Sequence, residues 1–358
     1  MDDPISAGLP LGLGATGPSP LATSVALTAR ETPGFGLDVE GTLGWVRATG
    51  AAVASAPQTS ATWEALAAAA AVDVAGARML EPHVDALQIL TQAAAVTDVD
   101  GVRNEVGAGE DATWGVFAAE GSGVSLHARQ VGDRWTLSGT KPWCSLAGHL
   151  SHSLVTAWTS SNERRLFAVD LRAPGVHARG GPWVSRGLAQ VVSAPVDFDD
   201  AAAAPVGGNA WYLQRPGFAW GGVGVAAVWW GATLPLVHAV IGAAAHDRAD
   251  QIAAAAAGEA DAAAWVARTV LADAAARVDR EAQAGDAAPA VIAHRVRATV
   301  ADAAERIIAV TDRSLGPGPL TTDESHARRV ADLRIYLRQH HGLRDLASLG
   351  RKLGASWA

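Results

Sequence analysis

Residues alternating at the two-residue period of β-strands fall in a single block, between Thr113 and Asp199. The long alanine-rich segments on either side repeat their apolar residues at helical spacing. An order of helices, then a small sheet, then helices leaves few architectures and predicts an α+β fold. The clearest strands form a hairpin. Val124–Gln130 runs out, Gly132 and Asp133 make a two-residue turn, and Arg134–Lys141 returns with Trp135, Leu137 and Gly139 on one face. The return strand runs into Lys141-Pro142-Trp143-Cys144-Ser145. Proline ends the ladder there and leaves an indole and a hydroxyl at a strand end, a place suited to a flat ligand. Ser153–Trp158, Arg165–Asp170 and Val191–Asp199 read as further short strands of a compact antiparallel domain.

Before the hairpin, the first stretch to Pro57 is rich in Gly, Pro, Ala and Thr, and Gly8–Pro20 reads as irregular. From Thr62, a candidate N-cap, Trp63–Arg78 and Glu81–Thr97 read as helices. Glu81, His83 and Asp85 are all potential metal ligands. On a helix, residues two apart point about 200° away from one another, so His83 faces away from Glu81 and Asp85 and no metal site is expected. After the sheet block, Phe218–Ala245 and Ala260–Ala284, closing at Gly285, read as helices. Ala290–Leu315 follows with Pro289 in its first turn, and a last helix carries Thr321 and Glu324 as a capping box. Val330, Leu333, Leu337, Leu343 and Leu346 are its expected inward residues. The predicted layout is a helical N-terminal domain (1–111), a central antiparallel β-domain (112–208) and a C-terminal four-helix bundle (209–358).

Composition narrows the function. A net charge of −8 with no basic run speaks against nucleic acid as a partner. Cys144 is the single cysteine, which rules out an intrachain disulfide and fits a reducing cytoplasm; the acidic Met1-Asp2-Asp3 start is unlike a secretory signal. Pro216–His246 contains no Asp, Glu, Lys or Arg and is long enough to cross a bilayer. Pro235, His238 and many glycines interrupt it, so a bundle interior is expected and no membrane span.

Gly139-Thr140-Lys141-x-Trp143-x-Ser145 resembles the Gly-Thr-Lys-x-Trp-x-Ser/Thr stretch of the acyl-CoA dehydrogenase family. The resemblance implies FAD, or FMN, lying between β-domain and bundle, with Trp143 against the isoalloxazine and Ser145 at its N5/O4 edge, beside Lys141 of the same motif. Ala119-Glu120-Gly121-Ser122-Gly123 stands where the family has Thr-Glu-Pro-x-x-Gly-Ser, making Ala119, Glu120 and Ser122 weaker flavin contacts. Val196-Asp197-Phe198-Asp199-Asp200 resembles the family's exit from the β-domain. Gly316-Pro317-Gly318-Pro319 loosely resembles a Gly-Gly-x-Gly turn near the adenine dinucleotide, which brings in Gly316 and Gly318. The family also implies an acyl-CoA or acyl-carrier thioester as substrate, an electron-transfer flavoprotein or flavin reductase as partner, and a homodimer or homotetramer.

The family's catalytic base is missing. Arg328, Asp332 and Arg334 match its Arg-x-x-x-Asp-x-Arg segment, but the glutamate position beyond falls on His340 or His341, and Pro216–His246 offers no carboxylate either. The family's FAD-binding Arg-x-x-Phe-Gly segment is absent too. A neutral imidazole with an ordinary pKa near 6.5 can serve as a base. Monooxygenases of this fold, which use reduced flavin and oxygen, commonly carry a histidine there. Three readings stand: α,β-dehydrogenation of an acyl thioester first, a flavin-dependent monooxygenase second, and a non-catalytic subunit that retains the fold third.

Overall fold

The computed structural model describes residues 12–14, 17–215, 217–284 and 289–353; the sequence features at Pro216 and Gly285 and at the start of Gly8–Pro20 lie outside them. Five helices come first: α1 (Pro20–Glu31), α2 (Val39–Ala54), α3 (Thr59–Val72), α4 (Val74–Ala93) and α5 (Val99–Glu105). Two of these, α1 and α2, occupy the glycine- and threonine-rich start that carried no clear signal. Asp73 makes the boundary between α3 and α4, earlier than sequence spacing suggested, because its carboxylate accepts from the Gly76 N–H at 3.0 Å and caps α4.

Seven strands follow: β1 (Trp114–Phe117), β2 (Leu126–Val131), β3 (Arg134–Lys141), β4 (His152–Trp158), β5 (Arg164–Asp170), β6 (Val176–Ala178) and β7 (Val196–Val206). The hairpin forms as expected, with Val131 opposite Arg134 and Gly132 at φ +62° in the turn. The sheet is not wholly antiparallel, as the sequence reading expected it to be. Order β4-β2-β3-β7-β5 closes on itself through β5–β4 pairing into a five-stranded barrel, while β1 runs parallel to β4, and β2 meets β4 in parallel at His127 and Trp158. The last strand also starts later than Val191, since Leu188–Pro195 is loop. Gly139 is fixed by the barrel's bend. It stands at φ +119° beside the β3–β7 register shift, and a Cβ there would meet the Ser125 carbonyl oxygen at 2.3 Å.

The remaining helices are α6 (Trp211–Gln214), α7 (Gly217–Ala244), α8 (Gln251–Ala284), α9 (Pro289–Leu315), α10 (Pro317–Thr322), α11 (Glu324–Tyr336) and α12 (Leu343–Leu353). A 3₁₀ turn, Leu337–Gln339, separates the last two. Asp323, not Thr321, caps α11 by accepting from the Ser325 and His326 N–H groups, and Thr321 belongs to α10. The chain turns at Gly342, so Leu343 and Leu346 do not face inward: they are 83% and 44% exposed. The uncharged segment is α7. It is long and apolar enough to cross a membrane, but 78% of its most apolar window is buried among the other helices. Trp229 and Trp230, adjacent and pointing different ways, are both enclosed because α7 is surrounded by α3, α4, α8, α9 and α11. One continuous apolar core therefore joins the first and last thirds of the chain.

His83 illustrates how this core is wired. Its ring is buried, its Nδ1 accepts from the Trp114 N–H at 3.2 Å, and burial, aided by Arg103 and Arg47, pushes its pKa down to about 4. Between pH 4 and 6.5 the unfolded chain binds the extra proton, so stability falls as pH falls through that window, by about 3 kcal/mol for this group. Urea unfolding at pH 7.5 and pH 4 tests it: the wild type is expected to lose about 3 kcal/mol more than His83→Gln. Equal losses in both proteins would remove His83 as the cause.

Candidate functional site

Trp143 follows Pro142 at the end of β3, with φ at +59° and 61% of its surface exposed. A bulky residue in the left-handed region costs energy, and a large indole open to solvent forfeits burial. The turn that imposes this is built below it. The Cys144 N–H donates to the Ala194 carbonyl at 3.1 Å and that of Leu146 to Val192 at 2.8 Å, pulling both residues inward and leaving Trp143 out. Cys144 is buried and its thiol pKa is pushed up to about 12 by burial, so it is an inert core residue.

Ser145 ties this turn to the helices. Its Oγ lies 2.7 Å from Ser193 Oγ and accepts from Arg78 Nη2 of α4 at 3.2 Å. Arg78 Nη1 reaches Glu81 Oε2 at 3.3 Å, and the same oxygen accepts from the Tyr336 hydroxyl at 3.1 Å. Burial raises the Glu81 pKa; Arg78 and the Tyr336 hydroxyl oppose it. Arg297 of α9 lies behind, half-buried, donating to the Gly222 and Gln339 carbonyls at 2.5 and 2.9 Å, with its guanidinium 5.0 Å from the Trp229 ring centre.

The two histidines separate. His340 ends the 3₁₀ turn half-buried, edge-on to Trp229 with ring centres 6.5 Å apart, and its Nε2 has no partner among the described residues. Burial lowers its pKa, with Asp345 opposing, so the ring is neutral at pH 7. His341 points outward, is exposed, and lies with Nδ1 3.3 Å from Asp345.

Lys141 and Glu120 meet, although not as free ligands. Lys141 is buried and donates to Glu120 at 2.8 Å and Thr156 at 2.9 Å; Glu120 also accepts from Arg164 and Trp158. Burial would raise the Glu120 pKa, but these bonds outweigh it and hold the carboxyl below its ordinary range. Ala119 and Ser122 are exposed in the loop after β1, where a side chain on Gly121 would touch Pro142, so this loop borders the Trp143 turn. Gly316 and Gly318 sit at the start of α10, which packs on α9 and α11. Of the motif-matched residues, Arg328 pairs with Asp73 at the α3–α4 boundary, Asp332 accepts from the Leu188 N–H in the loop before β7, and Arg334 pairs with Asp312 of α9.

Sequence reading missed Arg78, Glu81, Arg297 and Tyr336 as site residues. A signal for part of this existed: Arg78, Glu81, Asp85, Gln88 and Gln92 repeat at three- and four-residue spacing, a polar stripe on an otherwise buried helix.

No protein-family model matches the sequence, and no curated protein matches it significantly. Solved structures do match in three dimensions. FMN-bound TdsC from Paenibacillus sp. A11-2 superposes with TM-score 0.77 at 16% identity, over 94% of this chain and 97% of that one. Methanesulfinate monooxygenase MsuC from Pseudomonas fluorescens gives 0.74 at 18% identity, over 94% and 95%. A nitrososynthase from Micromonospora carbonacea var. africana gives 0.74 at 16%, over 91% and 94%. These likenesses over nearly the whole length show that the chain shares the fold of these enzymes.

Proposed function

We propose that this protein is a flavin-dependent oxidoreductase of the monooxygenase kind, binding FMN beside Trp143 and Ser145. The observation that carries the reading is Trp143, an exposed indole in a costly conformation next to a hydroxyl wired to a buried charged cluster. A flat aromatic ligand would cover the indole and offset that cost. FMN is favoured over FAD because TdsC holds FMN and because Gly316 and Gly318 lie on the outer α9–α10 turn. A bound flavin supplies electron transfer and, once reduced, reaction with oxygen.

The chain's own residues do the rest. Trp143 packs the ring system, Ser145 offers a hydroxyl to its polar edge, and Arg78 orients that hydroxyl from behind. His340 presents a neutral Nε2, without a partner among the described residues, able to take a proton from substrate, and Trp229 shields it from water. A flavin reductase is the partner such a site requires.

Glu81 favours a second reading. A buried carboxylate with a raised pKa, linked to Ser145 through Arg78, is the kind of base that α,β-dehydrogenation of an acyl thioester uses, with an electron-transfer flavoprotein as acceptor. One experiment separates the two. Purified protein is incubated with FMN or FAD, freed of excess, and examined for bound-flavin bands near roughly 370 and 450 nm. Substrate-dependent oxygen uptake with reduced flavin supports the monooxygenase; anaerobic bleaching by acyl-CoA supports the dehydrogenase. A protein colourless with either flavin removes both and leaves a non-catalytic subunit. Trp143→Ala is expected to weaken flavin retention about tenfold with an unchanged melting temperature, and unchanged retention would take Trp143 out of the site.

A further inference from the structure

One turn along the polar stripe from Glu81, α4 borders a cavity of 250 Å³, partly open to solvent and lined by α3, α4, α7, α8 and the end of α2. Trp63 and Trp220 give it apolar walls, while Asp85, Gln88, Gln92 and Arg215 bring polar groups into it. Room for these comes from α7, which has glycine opposite the stripe. A Cβ on Gly217 would collide with the Gln92 carboxamide at 2.3 Å, and one on Gly221 would stand 3.0 Å from Asp85 Oδ1.

The polar groups are incompletely paired. Arg215 is only 5% exposed; its Nη1 donates to Gln92 Oε1 at 2.7 Å, but its Nε has no hydrogen-bond partner among the described residues. Its Nη2 lies 3.7 Å from Asp85 Oδ1, too far for a hydrogen bond, and no described residue donates one to Asp85. A buried N–H left unsatisfied is costly, so a native site holding one is built for an acceptor that arrives from outside. Asp85 is its counterpart, an acceptor awaiting a donor. Burial raises its pKa to about 6, so it is mostly ionised at pH 7.

Charge decides what fits between them. Asp279, also on the wall, is engaged at the start of α3, where its Oδ1 accepts from the Thr59 N–H at 3.0 Å. Of the charges left, Arg215 and Asp85 balance each other, so an anionic or cationic ligand would leave one of them uncompensated, a penalty of several kcal/mol. A neutral group with an N–H and a C=O side by side satisfies both at once. We propose that this cavity recognises a neutral carboxamide or lactam on an aromatic ring, its N–H bonded to Asp85 and its carbonyl to the free Nε–H of Arg215. The volume suits an aromatic amide, or that end of a larger molecule. Only in naming the occupant as the substrate does this rest on the flavin reading.

Calorimetric titration of the full chain with benzamide, benzoate and benzylamine tests it, without added flavin. Benzamide is expected to bind saturably, at least about tenfold tighter than either charged probe. The double variant Asp85→Leu with Arg215→Met removes both charges together and so spares the fold, which circular dichroism checks; benzamide binding is expected to fall more than about tenfold. Absence of benzamide binding, an equal or better charged probe, or full binding by the folded double variant would each overturn the proposal. Protein that binds benzamide yet takes up no flavin keeps the cavity and loses the oxidoreductase; yellow protein indifferent to benzamide does the reverse.

Discussion

Arg329→Met is expected to destabilise the protein by about 4 kcal/mol, roughly a thousandfold in the folding equilibrium constant. The last carbonyls of a helix have no partners within it. At the end of α3 they are those of Ala70, Ala71 and Val72, and Arg329 of α11 takes all three, at 2.7, 2.9 and 2.9 Å. Its positive charge also faces the negative end of the α3 dipole. Burial lowers its pKa to about 10, which still leaves it protonated at neutral pH. Methionine fills the space but donates nothing, leaving three acceptors away from water. Urea denaturation followed by circular dichroism reads the loss. Arg329→Lys, with one compact donor group in place of a planar fork, should fall between. A methionine variant within 1 kcal/mol of wild type (about a fivefold change in the equilibrium) would mean that those carbonyls are satisfied otherwise.

His340→Ala is expected to lower turnover at least about a hundredfold while flavin content and melting temperature stay unchanged. The ring makes an edge contact with Trp229, and its Nε2 has no partner among the described residues. Because burial lowers its pKa, the neutral form persists to lower pH than for a free imidazole. The acid limb of the wild-type rate profile should therefore lie below pH 6.5, the ordinary histidine value, and vanish in the variant. His341→Ala, which removes an exposed ring held by Asp345, is expected to keep activity within about twofold. Oxygen uptake with supplied reduced flavin measures both. Full activity in His340→Ala, or loss confined to His341→Ala, would transfer the role.

The hairpin Leu126–Lys141 and the helix Gly217–Ala244 were legible because their signals are local: a glycine turn between alternating strands, and a long uncharged run. The Trp143-Ser145 motif was legible for the same reason, since its residues lie two apart and the proline before them ends a strand. Barrel closure was not legible. Pairing β5 with both β4 and β7 depends on residues far apart in the chain, and alternation alone says which face is buried, not which strand is the neighbour.

The same limit governs the site. Sequence periodicity set Glu81 and Asp85 on one face of a helix and His83 on the other, and the structure keeps that division, with His83 turned to Trp114 and the carboxylates turned inward. What the carboxylates meet was decided by packing. Tyr336 comes to Glu81 across 255 positions of chain, and Arg297 is held by the Gly222 carbonyl. His340 and His341 are neighbours of one type, yet the turn at Gly342 directs one toward Trp229 and the other to solvent. Local order fixes each residue's face on its own element. Burial, pKa and partners belong to the surfaces that elements bury against one another, and only the tertiary structure sets those.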